Sequence, residues 1–274
     1  MREITELIIL IKGGGEVASG IAHRLHRSHL RVCLTEVANP LAVSRGTAFS
    51  EAVFDGVKEI MGIRAELVEA KETAVYRAWQ RGNIALVIDP QARIKDRIKP
   101  DVLIDAIMAK RNTGTGTGDA PLVIGVGPGF YAGRDVHIVV ESNHSPNLGR
   151  VILEGEAEPD SRIPVPIGGL AEERVIWSPE AGVFTSSKEI GDSVSAGEVI
   201  GCVGDRPLSA PMSGMLRGLL KNQVNVVKGS KLIEVDPVHD RVICNLITSK
   251  MTAIGEGVLK AITDNLEPRR PIIG

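Results

Sequence analysis

An internal repeat constrains this chain more than any other feature of its sequence. The stretch SPEAGVFTSSKEIGDSVSAGEVIGCV (178–203) aligns without gaps on APMSGMLRGLLKNQVNVVKGSKLIEV (210–235), every match falling 32 residues apart. Pro179 pairs with Pro211, Gly182 with Gly214, Val194 with Val226, Gly197 with Gly229 and Ile200 with Leu232. A half of about thirty residues cannot bury its apolar face alone, so the two must pair. Period-two apolar positions between glycine turns predict a small β module.

Both halves read P-x-x-G followed by V-x-x-G-x-x-(I/L), a pattern similar to the barrel-sandwich hybrid of biotinyl and lipoyl domains. Those carriers present a modifiable lysine between their halves. Here the connection is CVGDRPLSAP, without lysine, so neither biotin nor lipoate is expected. The module is read instead as a docking or dimerisation surface, which leaves room for a homo-oligomer. In the tail, Val258, Leu259 and Ile262 fit a helix ending before Pro268.

The first half alternates strands and helices. Leu7 to Lys12 is a short apolar run, as a buried parallel strand should be. It stops on Gly13-Gly14-Gly15-Glu16-Val17-Ala18, a G-x-G-x-x-A pattern, and Val17, Ile21 and Leu25 then recur at helical spacing. The next strand, RVCLTE, ends on Glu36. In dinucleotide sites the first glycine (here Gly13) makes the tight turn and the second (Gly15) admits the pyrophosphate. The small residue Ala18 allows close helix packing, and the helix start attracts the anion. Glu36 is placed to accept hydrogen bonds from a ribose. Alternatively, the glycines make only a tight connection.

Later strands are IALVID, VLIDA, LVIGVG and HIVVES. In an open α/β sheet the ligand crevice lies beyond the carboxyl ends of the strands. Asp105, Lys110, Arg111, Asn112, Gly127, Gly129, Glu141 and Asn143 are therefore expected along one rim. Arg45, after the second strand, is a candidate for a phosphate or a solvated arginine. The low-complexity run NTGTGTGD reads as a mobile loop, either a lid or a connector. The expected fold is thus α/β: a Rossmann-like parallel-sheet domain over 1–170, the barrel-sandwich module over 171–237 and a helical tail over 238–274.

Composition narrows the function. A net charge of −2 and 3% aromatic residues offer no basic, stacking surface for nucleic acid. Three scattered cysteines, Cys33, Cys202 and Cys244, exclude a disulfide framework and a local zinc knuckle. His23, His26 and His29 diverge around a helix and read as solvated positions, so no metal is expected. Leu7–Ile11 is too short for a membrane span or a signal-peptide core, which predicts a cytoplasmic protein.

Four stretches together resemble a known group: RLHRSHLRVCLTEVANPLAVSRGTAFSEAVFDG, PDVLIDAIMAKRN, PLVIGVGPGF and LGRVILEGEAEPDSRIPVP. They are similar to the selenium-dependent molybdenum hydroxylase accessory proteins, the YqeB-like family. Looser similarity extends to xanthine dehydrogenase maturation factors. The resemblance implies a helper that prepares or inserts the pyranopterin cofactor, or supplies its terminal sulfur or selenium. Its partner would be the apo-enzyme of the molybdenum hydroxylase, and its bound dinucleotide NAD(P) or molybdopterin cytosine dinucleotide. No cysteine has basic neighbours that would make it a sulfur carrier, so catalytic residues stay unassigned. Two alternatives are an NAD(P)-dependent oxidoreductase, with Lys110 or His144 as acid, and a non-catalytic adaptor.

Overall fold

In the computed structural model, residues 6–161, 163–164 and 166–265 are described. They fall into two compact units: residues 1–40, 49–161 and 247–274, and residues 41–48 and 162–246. This differs from the three consecutive segments expected. A strand-connecting stretch, 41–48, joins the second unit, while the tail helix joins the first.

The first unit opens with β1 (Ile8–Lys12), α1 (Glu16–Arg27) and β2 (Arg31–Glu36). It continues through α2 (Ala52–Asp55), β3 (Val57–Ile60), β4 (Ile63–Leu67), α3 (Glu72–Gln80), β5 (Ile84–Ile88), α4 (Lys95–Ile98) and β6 (Val102–Asp105). Then come β7 (Leu122–Val126), β8 (Tyr131–Ala132), β9 (Ile138–Val140), β10 (Val151–Ile152) and β11 (Gly155–Glu156). Nine strands form one sheet in the order β10-β9-β7-β6-β1-β2-β5-β4-β3, parallel from β9 to β4 and closed by an antiparallel strand at each edge. β8 and β11 form a separate pair.

Alternation explains the layers. Ile9 and Ile11 point to one core and Ile8 and Leu10 to the other, so β1 is buried on both faces. Such burial is what an unbroken apolar strand requires. On the first face lies α1; Val75 and Ala78 of α3 cover the second. The edge hairpin β3–β4 has no counterpart in the expected strands, because VKEIMGIRAEL mixes charges into both faces of a short ribbon.

The tail helix, α5 (Ser249–Asn265), packs on α1, burying Met251, Ile254, Val258, Ala261 and Ile262 in the same core. Close approach sets their spacing. A Cβ on Gly20 of α1 would lie 2.6 Å from Met251 Cβ, and one on Gly257 would run into the Gly149 carbonyl oxygen. Glycine inside a helix costs about 1 kcal/mol relative to alanine, and here it admits the neighbouring chain. Among the described residues, only Arg241–Asn265 is long and apolar enough by length and composition to cross a membrane.

The second unit carries the repeat. β12 (Val175–Trp177), β13 (Gly182–Thr185), β14 (Ser193–Val194) and β15 (Val199–Val203) come from the first half. β16 (Arg206–Ser209), β17 (Gly214–Leu219), β18 (Val224–Val226) and β19 (Lys231–Asp236) come from the second. They build two four-stranded sheets, β12-β19-β17-β14 and β16-β15-β13-β18. Exchanging each strand for its repeat partner turns one order into the other, so neither half closes a sheet without its mate.

Hydrogen bonds follow the same exchange. Gly191 N–H donates to the Leu216 carbonyl, and Gln223 N–H, 32 residues later, donates to Phe184. Gly197 N–H reaches the Ala210 carbonyl and Gly229 N–H reaches Ser178. Gly197 and Gly229 share a φ of +82°, the left-handed region where glycine is favoured. Repeated glycines thus encode repeated turns.

Candidate functional site

The parallel strand order reverses direction at β1: the chain passes to β2, then to the β3–β4 edge and back in to β5, and resumes at β6 on the other side of β1. A crevice beyond the strand ends forms at such a reversal. The glycine turn lies there, at the carboxyl end of β1.

Each glycine in that turn has a different physical reason. Gly13 has φ +101°, and a Cβ there would sit 3.0 Å from the Ala106 carbonyl oxygen. On Gly14 a Cβ would lie 3.2 Å from both Glu36 Oε2 and Ser50 N. At Gly15, the residue capping α1, φ is −67° and a Cβ would meet nothing within 4 Å. Its own chain does not require Gly15 to be glycine. The missing side chain instead leaves the N-terminus of α1 open, where unpaired N–H groups and the helix dipole favour an anion.

Ala18 is fully buried in α1 and serves packing. Beside it, the Ser19 hydroxyl donates to the Gly14 carbonyl at 3.0 Å and accepts from Phe49 N–H at 2.7 Å. Glu36 touches the turn directly: Oε2 accepts the Gly14 N–H at 2.8 Å and Oε1 the Val37 N–H at 2.7 Å. Burial pushes its carboxyl above the ordinary range, against the pull of these two N–H donors. In this geometry the acid first braces the turn.

The most concentrated chemistry lies across the reversal and includes two residues that motif reading missed. Lys12, the last residue of β1, donates from Nζ to Thr115 Oγ1 at 2.6 Å and pairs with Asp105 Oδ2 at 3.1 Å. Thr115 in turn donates to Asp105 Oδ2 at 2.5 Å. The Lys12 and Asp105 side chains are only 9% and 2% exposed, so this is a buried ion pair at a strand end. A lysine closing an otherwise apolar strand was the available signal for it.

That trio also ties down the run NTGTGTGD. Asn112 Oδ1 accepts the Gly114 and Thr115 N–H groups, both at 2.8 Å, and its amide donates to the Thr115 carbonyl. Asp119 accepts from Gly116 N–H at 2.9 Å and pairs with Lys95. Asn112 thus organises its own turn while staying exposed at the rim.

Other rim residues have similarly local roles. On Gly129 a Cβ would lie 2.6 Å from the Arg111 backbone nitrogen, and on Gly127 it would strike Ser142 Oγ. Both glycines admit neighbouring chain. Glu141 is 1% exposed; it accepts N–H groups from Ser142, Asn143 and Glu158. Asn143 donates to Glu158 at 3.1 Å, while Lys110 pairs with Asp160 at 3.5 Å. Arg111 and His144 are exposed at the rim.

On sequence grounds Arg45 is expected to face a phosphate or solvent. It belongs to the second unit, where Nε donates to the Leu219 carbonyl at 2.7 Å and Nη2 approaches Glu189 at 3.6 Å. Of the three histidines expected to be solvated, His29 is exposed, while His23 and His26 depart from that expectation. His23 is 7% exposed with Nε2 lacking a partner, and His26 Nε2 lies 2.9 Å from the Gly82 carbonyl. Burial lowers the pKa of both. Cys33 is buried as expected, and burial pushes its thiol far up. Cys244 is also buried and shifted up, chiefly by burial. Neither is a low-pKa sulfur carrier. Among the described residues, no group of three or more His, Cys, Asp or Glu is arranged to hold a metal.

The architecture is that of a mixed α/β protein with a large, mainly parallel sheet and a C-terminal helix. No family model matches the chain. It is similar to "Uncharacterized protein YqeB" of Escherichia coli (strain K12), 39% identical over 255 residues, which are 93% of this chain and 47% of that protein. The chain thus spans about half the length of the curated relative it matches, and the similarity supports a YqeB-like family.

Among solved structures it is similar to the ectoine utilization protein EutE (DoeB) from Ruegeria pomeroyi, at 13% identity and a TM-score of 0.25. An aspartoacylase family protein from Mesorhizobium loti gives 11% and 0.26. Each likeness covers 84% of this chain and 85% of the other. Overlap this weak carries no argument about activity.

Proposed function

We propose that this chain binds a nucleotide at the Gly13–Gly15 turn and serves as an accessory factor for a selenium-dependent molybdenum hydroxylase. The first unit is read as Rossmann-like: β2 and β6 flank β1 in a parallel sheet, with the glycine turn at that reversal, although β5 is inserted between β2 and β4. The second unit is read as a barrel-sandwich hybrid, on the interlocked repeat. Its β15–β16 hairpin turns through Gly204 and Asp205 and offers no lysine for biotin or lipoate. The accessory role, its molybdenum hydroxylase partner and molybdopterin cytosine dinucleotide as occupant rest on the family resemblance, to which the YqeB similarity is congruent.

One observation carries the binding reading: Gly15 is glycine at a position where a Cβ would meet nothing within 4 Å. The test is a thermal-shift screen with NAD, NADP, FAD, ATP, CTP and molybdopterin cytosine dinucleotide. A ligand present at a hundred times its Kd adds about 2.7 kcal/mol of stability. Gly15→Leu should melt like the parent protein without ligand and lose that gain. Stabilisation by CTP or the molybdopterin nucleotide alone supports the accessory reading; NAD or NADP alone favours the oxidoreductase. A Gly15→Leu protein that binds as well as the parent would remove the turn from the site.

A further inference from the structure

Between Met108 and Ala120, which pack on the two cores, the stretch linking β6 to β7 has no buried apolar side chain. Of residues 109–118, Thr115 alone is buried, at 3% exposure. Polar fastenings hold the segment: Thr115 on the Lys12–Asp105 pair, Asp119 on Lys95 and Lys110 on Asp160. An apolar side chain would anchor such a segment at lower desolvation cost, since buried ion pairs often contribute no more than an apolar substitute. The fastening also stands next to the glycine turn, Lys12 being the residue before Gly13. An ammonium has three N–H donors, and Thr115 and Asp105 take two.

We propose that Lys12 is a phosphate-binding cation of this crevice, covered in the ligand-free protein by the 109–119 strap. A phosphate or pyrophosphate group arriving at the turn competes with Thr115 and Asp105 for the ammonium. The strap therefore loosens as the anion binds, and the energy needed to unfasten Thr115 lowers the apparent affinity. The inference rests on the nucleotide reading for its ligand class but can fail separately from it.

Hydrogen exchange of the full chain, with and without inorganic pyrophosphate, tests it. The reporters are the Thr115 and Gly116 amides, held by Asn112 and Asp119. In the parent protein, saturating pyrophosphate should speed their exchange about tenfold. Thr115→Val should exchange that fast without any anion and bind pyrophosphate about tenfold more tightly, whereas Thr115→Ser should behave as the parent. Removing Lys12 alone would strand a buried carboxylate, so the paired variant Lys12→Met/Asp105→Asn is used; it should lose the pyrophosphate response. The proposal is overturned if that variant still responds, if Thr115→Val leaves exchange and affinity unchanged, or if pyrophosphate binds neither the parent nor Thr115→Val. Should nucleotides stabilise the parent and the paired variant equally, this inference falls while the nucleotide reading stands. If no nucleotide binds although pyrophosphate loosens the strap, the reverse holds.

Discussion

Both units bury charge, and they do so in different places. In the second unit Arg217 pairs with Asp236 at 3.0 Å and Arg174 with Glu234 at 3.7 Å, on or beside the adjacent strands β12, β17 and β19. Burial raises the Glu234 pKa, but Lys231 and Arg174 beside it more than offset that, and the net shift is downward. These pairs tie neighbouring antiparallel strands of one sheet. In the first unit the Lys12–Asp105 pair joins the ends of two parallel strands, beside a turn whose Gly13 N–H reaches the Thr35 carbonyl and whose Gly14 N–H reaches the Glu36 carboxylate. A buried charge within a sheet reads as architecture. A buried pair at the strand ends, where the parallel sheet reverses, reads as a place for a ligand.

The sharpest way to test the second unit as pure architecture is to ask whether its two halves are energetically equivalent. Phe184 and Leu216 are repeat partners, both at 0% exposure. Truncating either to alanine should cost about 3–4 kcal/mol, the transfer and cavity terms of a large core side chain. Denaturant unfolding would show it. Costs that differ by far more than the difference in side-chain volume would break the symmetry and mark one half as serving something besides the fold.

Much of this was legible beforehand, for local reasons. The repeat was visible because glycines at positive φ, such as Gly197 and Gly229, must recur wherever the turn recurs. β1, β2 and β5 through β7 were visible because strands buried on both faces are unbroken apolar runs. What stayed hidden was long-range. Nothing around Arg45 says that its guanidinium reaches a carbonyl 174 residues away. The same holds for Thr115, a threonine in a low-complexity run that becomes the one buried point of a strap. Gly127 and Gly129 were singled out for the right property, close approach, but what approaches is the chain's own backbone or side chain.

Two glycines sharpen the contrast between packing and turn-making. Gly257→Ala drives a methyl into the Gly149 carbonyl where α5 meets the first unit, an overpacking cost of about 2 kcal/mol. Gly197→Ala meets no atom within 4 Å, so only its left-handed backbone opposes it, at about 1 kcal/mol. Thermal unfolding should rank them in that order. Equal costs would mean that α5 shifts readily to make room, and that its seat on α1 is looser than its glycines imply.

The smallest expected effect separates a histidine kept for its neutral bulk from one kept for its charge. His23 lies on α1 with burial lowering its pKa below the ordinary 6.5; the Met61 backbone pulls the other way, and Arg27 and His26 add to the lowering. Its folded pKa is therefore depressed, and the unfolded chain takes up the proton first as pH falls. Stability from this group is complete above about pH 6.5 and is lost as pH drops through the folded value. Replacing His23 by leucine should flatten that acid limb while leaving stability near pH 8 little changed. His26, depressed for the same reason and held to Gly82, should retain its own share of the slope. A His23→Leu protein whose stability still falls as steeply below pH 6.5 would assign the limb to His26. A steeper fall would mean that His23 is charged in the folded state, and that its unpartnered Nε2 faces an anion.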